Sequence, residues 1–406
     1  MITSITVMPF YRPNRQKGQI FYLIASNELS INIKSDLLIN SNEWNELSAF
    51  LLTQPKQKKK IQNKYLDTIS DFVAWDIKRL KLILYSLHDI KDKRKLLNET
   101  AHKFSLPRQG MSLFRFAQEI IYQLRSWGKI RTSETYTSTL NSFMRFRAGI
   151  DLPLQKLDSD LIKSYEVWLE HQNVCMNTSS FYMRILRAIY NRAVEKELIY
   201  QRNPFRHVYV GVDKTIKRAL PLSVIKQIRE IDLSENPNLC FARDLFLFSF
   251  YTRGMSFIDI AFLRKKDLHN GSLSYRRRKT GQMLFIKWEY CMEEIVTRYA
   301  QQCERSPYLL PIIMEEEKDT YQCYRKNMSR INKQLKLLAT RIGYNYSLSM
   351  YCARHSWANI AKSKNIPIAV ISEGMGHDSE KTTRIYLASL DTHVVDQANQ
   401  LVLSCL

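Results

Sequence analysis

The sequence predicts a mainly α-helical protein with small β elements, an α+β fold built from successive segments. Helical spacing of apolar residues dominates from about residue 61 onward, whereas the alternation of apolar and polar residues that marks strands is confined to 5–35 and 272–288. The chain has 406 residues, of which 45% are hydrophobic. This length exceeds one ordinary core and predicts two or three domains.

The N-terminal segment, residues 1–104, is expected to be a small antiparallel sheet followed by helices. Three alternating stretches, TVMPFY, QIFYLIAS and LSINIK, are separated by turn-type residues and predict two or three strands. The stretch SNEWNEL indicates a capped helix start at Ser41. After a basic loop at 54–60, apolar residues recur at helical spacing from Ile61 to about Lys103, which predicts one long helix or two.

The middle segment, residues 108–207, reads almost wholly as helix. Four amphipathic stretches each begin near a serine, threonine or aspartate, as helix N-termini prefer. Stretches with prolines and basic residues at 105–110 and 203–223 indicate linkers on either side. The third segment, 218–406, is expected to be mostly helical with one β-hairpin, in which SLSYRRR and MLFIKW flank the turn residues KTGQ.

The charge of the chain indicates the kind of partner. Sixty-one lysines and arginines stand against 39 aspartates and glutamates, which gives a net charge of +22 at pH 7. An excess of this size favours a polyanion, with nucleic acid as the first candidate. A membrane surface is the second candidate, but the sequence has no strongly amphipathic basic helix to support it.

Compartment and metal content also follow from the sequence. No apolar run approaches the roughly 20 residues that span a bilayer, and the N-terminus lacks the features of a signal peptide, so we expect a cytoplasmic protein. The seven cysteines are scattered and form no CxxC pair, which argues against a disulfide framework or a zinc site. Histidines and carboxylates show no metal-ligand spacing, and we expect no cofactor.

Two motifs near the C-terminus identify a family resemblance. YCARHSWANIA at 351–361 is followed by GMGHDSEKTTRIYL at 374–387. Together with the basic hairpin and the lysine at its turn, they resemble the tyrosine recombinase (phage integrase) family, and the three-part layout looks like the longer integrases of conjugative and mobilisable elements. The resemblance implies an arm-type DNA-binding domain with a helical connection at 1–104, a helical core-binding (SAM-like) domain at 108–207 and a catalytic domain with a C-terminal tail at 218–406.

The resemblance also implies roles for four residues. The family cuts DNA with a tyrosine hydroxyl, which forms a 3′-phosphotyrosine and frees a 5′-hydroxyl. Tyr386 matches this nucleophile, Arg354 the second catalytic arginine, His377 a phosphate hydrogen-bond donor and Lys279 the general acid. The residue types suit the chemistry, because a phenol must lose its proton to attack, a guanidinium binds phosphate oxygens, and a lysine can protonate the leaving oxygen. The covalent bond keeps the energy of the cut phosphodiester, so neither metal nor ATP is required.

Two positions depart from the family pattern. Tyr351 stands where the family usually has a histidine, and we expect it to orient the phosphate, because it is a weaker proton acceptor near pH 7. An ungapped alignment puts Ser256 where the first catalytic arginine belongs. We favour Arg253, three residues earlier, as its substitute. The alternatives are Arg277, which strand alternation would turn to the same side as Lys279, and a site with a single arginine.

Double-stranded DNA is the expected partner. The family usually acts as a tetramer on two DNA duplexes, and residues 388–406 are expected to dock on a neighbouring subunit, with docking on their own domain as the alternative. An accessory DNA-bending protein is a further candidate partner. Seven basic residues are expected to contact DNA: Lys34, Lys58, Lys59, Arg184, Arg187, Arg277 and Arg278.

The expected function is site-specific recombination that integrates, excises or inverts DNA. Two alternatives stay open at this point. One is an architectural or regulatory DNA-binding protein with an impaired active site, which the two altered positions favour. The other is an enzyme that relaxes DNA like a type IB topoisomerase, with the same chemistry and no strand exchange.

Overall fold

The computed structural model confirms a mainly helical fold with two small antiparallel sheets. It describes residues 6–13, 18–26, 29–52, 64–106, 110–213, 219–314, 320–387, 399–400 and 402–404. The chain forms two compact units, Met1–Lys214 and Thr215–Leu406. Across the described ranges, no helix combines the length and the apolar character that crossing a bilayer requires.

The first unit begins with a three-stranded antiparallel sheet in the order β1–β2–β3. The expected alternation is present, because Ile20, Tyr22 and Ile24 are fully buried while the residues between them are partly exposed on the other face. The sequence predicted either two or three strands, and the described part of residues 6–39 contains three. They are β1 (Thr6–Arg12), β2 (Gly18–Ser26) and β3 (Leu29–Ile39).

Three helices follow this sheet. The stretch that the sequence assigned to one long helix or two is two helices, and the second starts where the Asp92 carboxylate accepts hydrogen bonds from the backbone N–H groups of Arg94 and Lys95. The first helix begins at Ser41, as predicted. The helices are α1 (Ser41–Leu52), α2 (Lys64–Ser86) and α3 (Lys93–Phe104).

The predicted helical middle segment is a four-helix bundle. Its helices begin beside polar caps in two cases, where the Ser112 hydroxyl and the Asp158 carboxylate accept backbone N–H groups. Phe114, Phe143 and Tyr165 pack edge to face in its core. The helices are α4 (Leu113–Ser126), α5 (Ile130–Phe146), α6 (Ser159–His171) and α7 (Met176–Glu195).

A buried arginine joins the sheet-containing segment to the bundle within this first unit. Arg79 of α2 donates from Nε to the carbonyl of Gly149 at 3.0 Å and from Nη2 to that of Phe104 at 3.1 Å. Its guanidinium also lies 4.5 Å from the centre of the Phe104 ring. The charge is therefore satisfied by groups from both segments.

The second unit is built around α9, a helix buried on nearly all sides. Six consecutive residues of α9, 244–249, are buried, which is typical of a helix at the centre of a core. The helices are α8 (Leu222–Glu230), α9 (Pro237–Tyr251), α10 (Phe257–Ala261), α11 (Tyr290–Arg298), α12 (Thr320–Arg341), α13 (Met350–Ser363), α14 (Ile368–Gly374) and α15 (Glu380–Tyr386).

A small antiparallel sheet carries the predicted hairpin in the order β4–β5–β6. The sequence predicted a strand through Arg278, but the strand ends at Arg276, because the chain turns there and the Gly281 N–H reaches the Arg277 carbonyl at 2.7 Å. Arg277 and Lys279 therefore do not share a strand face. The strands are β4 (Leu268–His269), β5 (Ser272–Arg276) and β6 (Met283–Lys287).

Candidate active site

Arg354 lies on α13 with only 3% of its surface exposed. Its Nη1 donates to the carbonyl of Gly254 at 2.7 Å, and its Nη2 donates to the carbonyl of Met375 at 2.7 Å. The same Nη2 lies 3.0 Å from Nε2 of His377. The guanidinium is thus fixed between the end of α9 and the segment after α14, which satisfies a charge that would otherwise be costly to bury.

The end of α9 approaches α13 closely at Gly254. This residue has φ of +75°, and a Cβ there would lie 2.8 Å from the Cα of Arg354. Only glycine meets both conditions without strain. The preceding residue, Arg253, also has a left-handed φ of +59°. Ser256, which stands at the family's arginine position, immediately precedes α10, and its hydroxyl donates to the carboxylate of Asp259.

Arg277 reaches the same region from the hairpin. It is 7% exposed and continues the buried positions of Leu273 and Tyr275 beyond the end of the strand. Its Nη1 donates to the carbonyl of Gly376. Arg277 and Arg354 therefore bind consecutive carbonyls, and together they clamp the segment 375–377 from two sides.

His377 is held between Arg354 and α15. Its Nδ1 lies 2.8 Å from the hydroxyl of Thr383, while Nε2 faces Arg354. Burial is the main cause that lowers the pKa of His377 from 6.5 to about 4, and the positive charges of Arg354, Arg277 and Lys279 lower it further. The imidazole is therefore neutral near pH 7.

Asp259 fixes the hairpin turn that carries Lys279. One carboxylate oxygen accepts the backbone N–H of Arg278 at 2.9 Å, and the other accepts the hydroxyl of Ser256 at 2.6 Å. Asp259 is 4% exposed, whereas Lys279 is exposed in the turn. The Arg278 guanidinium lies 3.9 Å from the centre of the Phe262 ring.

The other residues expected in the site lie at its edge. Arg253 is partly exposed, and its Cδ would be 3.6 Å from a Cβ on Gly374, just before the clamped segment. Tyr351 precedes Arg354 by one helical turn and is 54% exposed. Its ring meets His355 edge to face, with 4.8 Å between the ring centres.

Tyr386 is the last residue of α15, and its side chain lies outside the described part of the structure. The helix is attached next to it, because Leu387 is buried and its carbonyl accepts a hydrogen bond from Nζ of Lys362 at 2.9 Å. Leu387 packs in a small cluster with Ala358, Ala361, Ile371 and Met375. The backbone at Tyr386 is thereby held against α13 and α14.

The residues expected to contact DNA lie far apart along the chain. Arg184 and Arg187 are exposed on α7, and Lys34 is exposed on β3. Lys58 and Lys59 lie outside the described residues, as does most of the tail expected to dock on a neighbour.

The structural roles of Asp259 and Thr383 were not anticipated. A carboxylate inside the apolar run FIDIAFL indicated that Asp259 has a structural role. Helical spacing gave no indication that Thr383 is buried.

Comparisons with known proteins cover most of the chain. Residues 112–210 match the family model of the phage integrase SAM-like domain, and residues 225–393 match the model of the phage integrase family. No curated protein matches the chain by sequence.

Solved structures show a similar fold at low sequence identity. A lambda integrase tetramer bound to a Holliday junction matches over 90% of this chain and 92% of its own, with 14% identity and a TM-score of 0.53. The Tn1549 transposon integrase in complex with transposon right end DNA matches over 72% of this chain and 100% of its own, with 13% identity and a TM-score of 0.51.

Proposed function

Because the chain belongs to the phage integrase family of tyrosine recombinases, we propose that it is a site-specific recombinase that cuts and rejoins DNA through a phosphotyrosine at Tyr386. One observation supports the assignment of the active site. Arg277 and Arg354, both buried, clamp the segment that holds His377, nine residues before Tyr386. Such a pair of fixed cations is what a phosphoryl-transfer transition state requires.

The first chemical step exchanges one phosphate ester for another. The hydroxyl oxygen of Tyr386 attacks the phosphorus, the new O–P bond forms, and the bond from phosphorus to the 5′-oxygen breaks. The phenol passes its proton to solvent, and the leaving 5′-oxygen gains one from Lys279. In the second step a 5′-hydroxyl from another strand attacks the phosphotyrosine and gives its proton to Lys279, while the bond from phosphorus to the tyrosine oxygen breaks and Tyr386 takes up a proton from solvent. No bond energy is lost, so the reaction needs no nucleotide.

We propose Arg277, rather than Arg253, as the first catalytic arginine. The Arg277 guanidinium binds the carbonyl next to His377, and its charge contributes to the lowered pKa of that residue. Arg253 is partly exposed and is less buried than Arg277. Ser256 and Asp259 occupy the family's usual arginine region and hold the hairpin backbone instead. The first catalytic arginine is thus supplied by the hairpin. It is Arg277, the residue before Arg278, whose backbone N–H donates to Asp259.

Lys279 suits a general acid because its position is set while its ammonium group remains accessible. Asp259 holds the backbone one residue before it, and the side chain is exposed in the turn. Tyr351, one turn before Arg354 and exposed, is proposed to contact the phosphate through its hydroxyl.

The outer face of the first sheet is proposed to contact arm-type DNA. Phe10, Phe21 and Lys34 are cross-strand neighbours on β1, β2 and β3. The guanidinium of Arg12 lies 4.7 Å from the centre of the Phe21 ring and 5.5 Å from that of Phe10. Cationic side chains on a sheet face can bind phosphates and base edges in a groove. We assign core-type DNA to the bundle with Arg184 and Arg187, and to the hairpin with Arg278.

The proposed assembly is a tetramer on two DNA duplexes at the bacterial nucleoid. The similar lambda integrase structure is a tetramer on a Holliday junction, and the similar Tn1549 structure is bound to transposon end DNA. We propose that the tail 388–406 joins neighbouring subunits. An architectural protein with an impaired site is not favoured, because the substituted arginine position is compensated by Arg277.

A recombination assay tests this function. A pool of nicked random-sequence duplexes is incubated with the protein, and duplexes that stay attached in detergent are recovered and sequenced. Two copies of the selected site on a supercoiled plasmid are expected to yield excised or inverted product, depending on their orientation. Binding without joined strands would favour the architectural alternative, and relaxation without exchange would favour a topoisomerase-like enzyme.

A further inference from the structure

Two adjacent threonines on α15 differ sharply in their surroundings. Thr382 is exposed, whereas Thr383 is fully buried, and its hydroxyl oxygen lies 2.8 Å from Nδ1 of His377. Thr383 precedes Tyr386 by three residues on the same helix. The buried hydroxyl thus links the histidine of the site to the helix that carries the proposed nucleophile.

The neighbours of the imidazole fix which nitrogen carries the proton. A guanidinium can only donate hydrogen bonds, so Nε2 of His377, which is 3.0 Å from Nη2 of Arg354, must accept one. The proton of the neutral ring therefore sits on Nδ1, and Nδ1–H donates to the Thr383 hydroxyl oxygen. Arg354 thus fixes the tautomer, and the Thr383 hydroxyl, which can donate or accept, accepts the Nδ1–H that this tautomer presents.

We propose that Thr383 is a positioning residue that holds the ring of His377 in place by accepting its Nδ1–H and ties α15 to the site of Arg354. The proposal rests on the function proposed above for its catalytic consequence, but the hydrogen bond itself does not depend on that function. The opposite tautomer would place an N–H of His377 against an N–H of Arg354. These two donors would repel each other, so the ring would turn away or the arginine would lose a partner.

The length of α15 explains why such a link is needed. The helix has seven residues, and helices this short are not stable without tertiary contacts. Thr383 and Leu387 are four residues apart, so both face the body of the unit, and both are buried. Tyr386 lies between these two attachments. A change at Thr383 therefore alters both the ring of His377 and the placement of the nucleophile's backbone.

Imidazole nitrogen NMR tests the tautomer directly. The full chain is labelled with ¹⁵N-histidine, and the His377 signals are assigned by their loss in His377→Gln. We expect Nδ1 to be the protonated nitrogen in the wild type, in Thr383→Ser and in Thr382→Val. In Thr383→Val the Nδ1–H loses its acceptor, so its proton is expected to exchange with solvent faster than in the wild type, Thr383→Ser and Thr382→Val. An Nδ1–H that exchanges as slowly in Thr383→Val as in the wild type, or an Nε2–H ring in the wild type, would overturn the proposal.

A kinetic measurement tests the consequence for the reaction. With the selected nicked duplex, Thr383→Val is expected to form the covalent adduct about 10–100-fold more slowly, a range typical for loss of a group that orients a functional residue. DNA affinity should change by less than about twofold, since Thr383 is buried away from DNA. Thr383→Ser should restore the rate to within about threefold, and Thr382→Val should leave it unchanged.

The outcomes separate the two proposals. If the wild type forms no adduct with any duplex, the proposed function fails, while the NMR result still decides whether Thr383 holds the ring of His377. If Thr383→Val and Thr382→Val react at equal rates, the positioning role is wrong even though the enzyme is active. Thermal unfolding of each variant shows whether the fold is kept, and Thr383→Ser supplies the comparison if Thr383→Val unfolds.

Discussion

Arg277 and Arg354 are buried charges that bind backbone carbonyls on consecutive residues, Gly376 and Met375. Burying a guanidinium is unfavourable unless such acceptors replace water. Their presence fixes two cations in the protein before DNA binds. Charges that need no rearrangement during the reaction stabilise the transition state most effectively.

The choice between the two arginines predicts a clear difference in rate. Arg277→Ala is expected to lower the rate of covalent adduct formation by about 10²-fold or more, because a transition-state charge donor is lost. Arg253→Ala should cost less than about tenfold, since Arg253 is partly exposed and less buried than Arg277. Single-turnover cleavage of the selected duplex measures both. A larger loss in Arg253→Ala would reverse the assignment.

The lowered pKa of His377 makes a prediction about pH. Between about pH 6.5 and 4 the unfolded chain binds a proton at this residue that the folded protein does not. The contribution of His377 to stability is therefore complete above pH 6.5 and is lost as the pH falls towards 4. NMR titration of the ring should show no protonation down to about pH 5. A midpoint near 6.5 would contradict the described environment.

Most functional groups of the candidate site lie in short connections between elements rather than in the long helices. The turn after α9 supplies the Gly254 carbonyl to Arg354, the hairpin turn supplies Arg277 and Lys279, and the segment after α14 supplies His377. Each of these connections contains a glycine with positive φ. The helices fix how far apart these connections lie, and the turns orient the functional groups within them.

Two glycines with similar φ allow the effect of backbone strain to be distinguished from the effect of a steric clash with Arg354. Gly254→Ala is expected to lose at least about 2 kcal/mol of stability and most cleavage activity, because a Cβ would lie 2.8 Å from the Cα of Arg354. Gly343 has φ of +69° and no atom within 4 Å of its would-be Cβ, so Gly343→Ala should lose only about 1 kcal/mol and keep activity. Thermal unfolding and cleavage rates measure the difference. Equal activities would show that Gly254 does not position Arg354.

The elements were predictable where local signals agree with tertiary packing. Ser41, Ser112 and Asp158 mark helix starts in the sequence, and helices begin at or beside them. The hairpin was predicted by its turn residues, but the exact end of its first strand was not, because Arg277 is buried by contacts with Gly376, almost a hundred residues away. Sequence spacing alone cannot reveal a charge that is buried by a distant partner.

At the scale of the molecule, the sheet-containing segment and the bundle, which the sequence predicts as domains at 1–104 and 108–207, lie within one compact unit. Arg79 contributes to this connection, since it binds carbonyls of Phe104 and Gly149. Burial raises the pKa of Asp151, and the charge of Arg79 opposes that rise. A buried cation near a buried acid therefore helps to hold this unit together.

Removing this cation should destabilise the first unit. Arg79→Met is expected to lower the free energy of unfolding by about 3–5 kcal/mol, because two carbonyls lose their donor and Asp151 loses a compensating charge. Lys81→Met, an exposed change on the same helix, should stay within about 0.5 kcal/mol of the wild type. Denaturant unfolding of the full chain measures both. An Arg79→Met protein as stable as the Lys81→Met protein would exclude this role.

The covalent bond between Tyr386 and DNA is the most direct test of the proposed reaction. A selected duplex with a nick next to the cleavage position lets the cut fragment diffuse away, so the adduct accumulates and its peptide can be identified by mass spectrometry. We predict a nucleotide attached to Tyr386, no adduct with Tyr386→Phe, and an unchanged yield with the exposed control Tyr346→Phe. An adduct on another residue, or an equal yield with Tyr386→Phe, would contradict the proposed nucleophile.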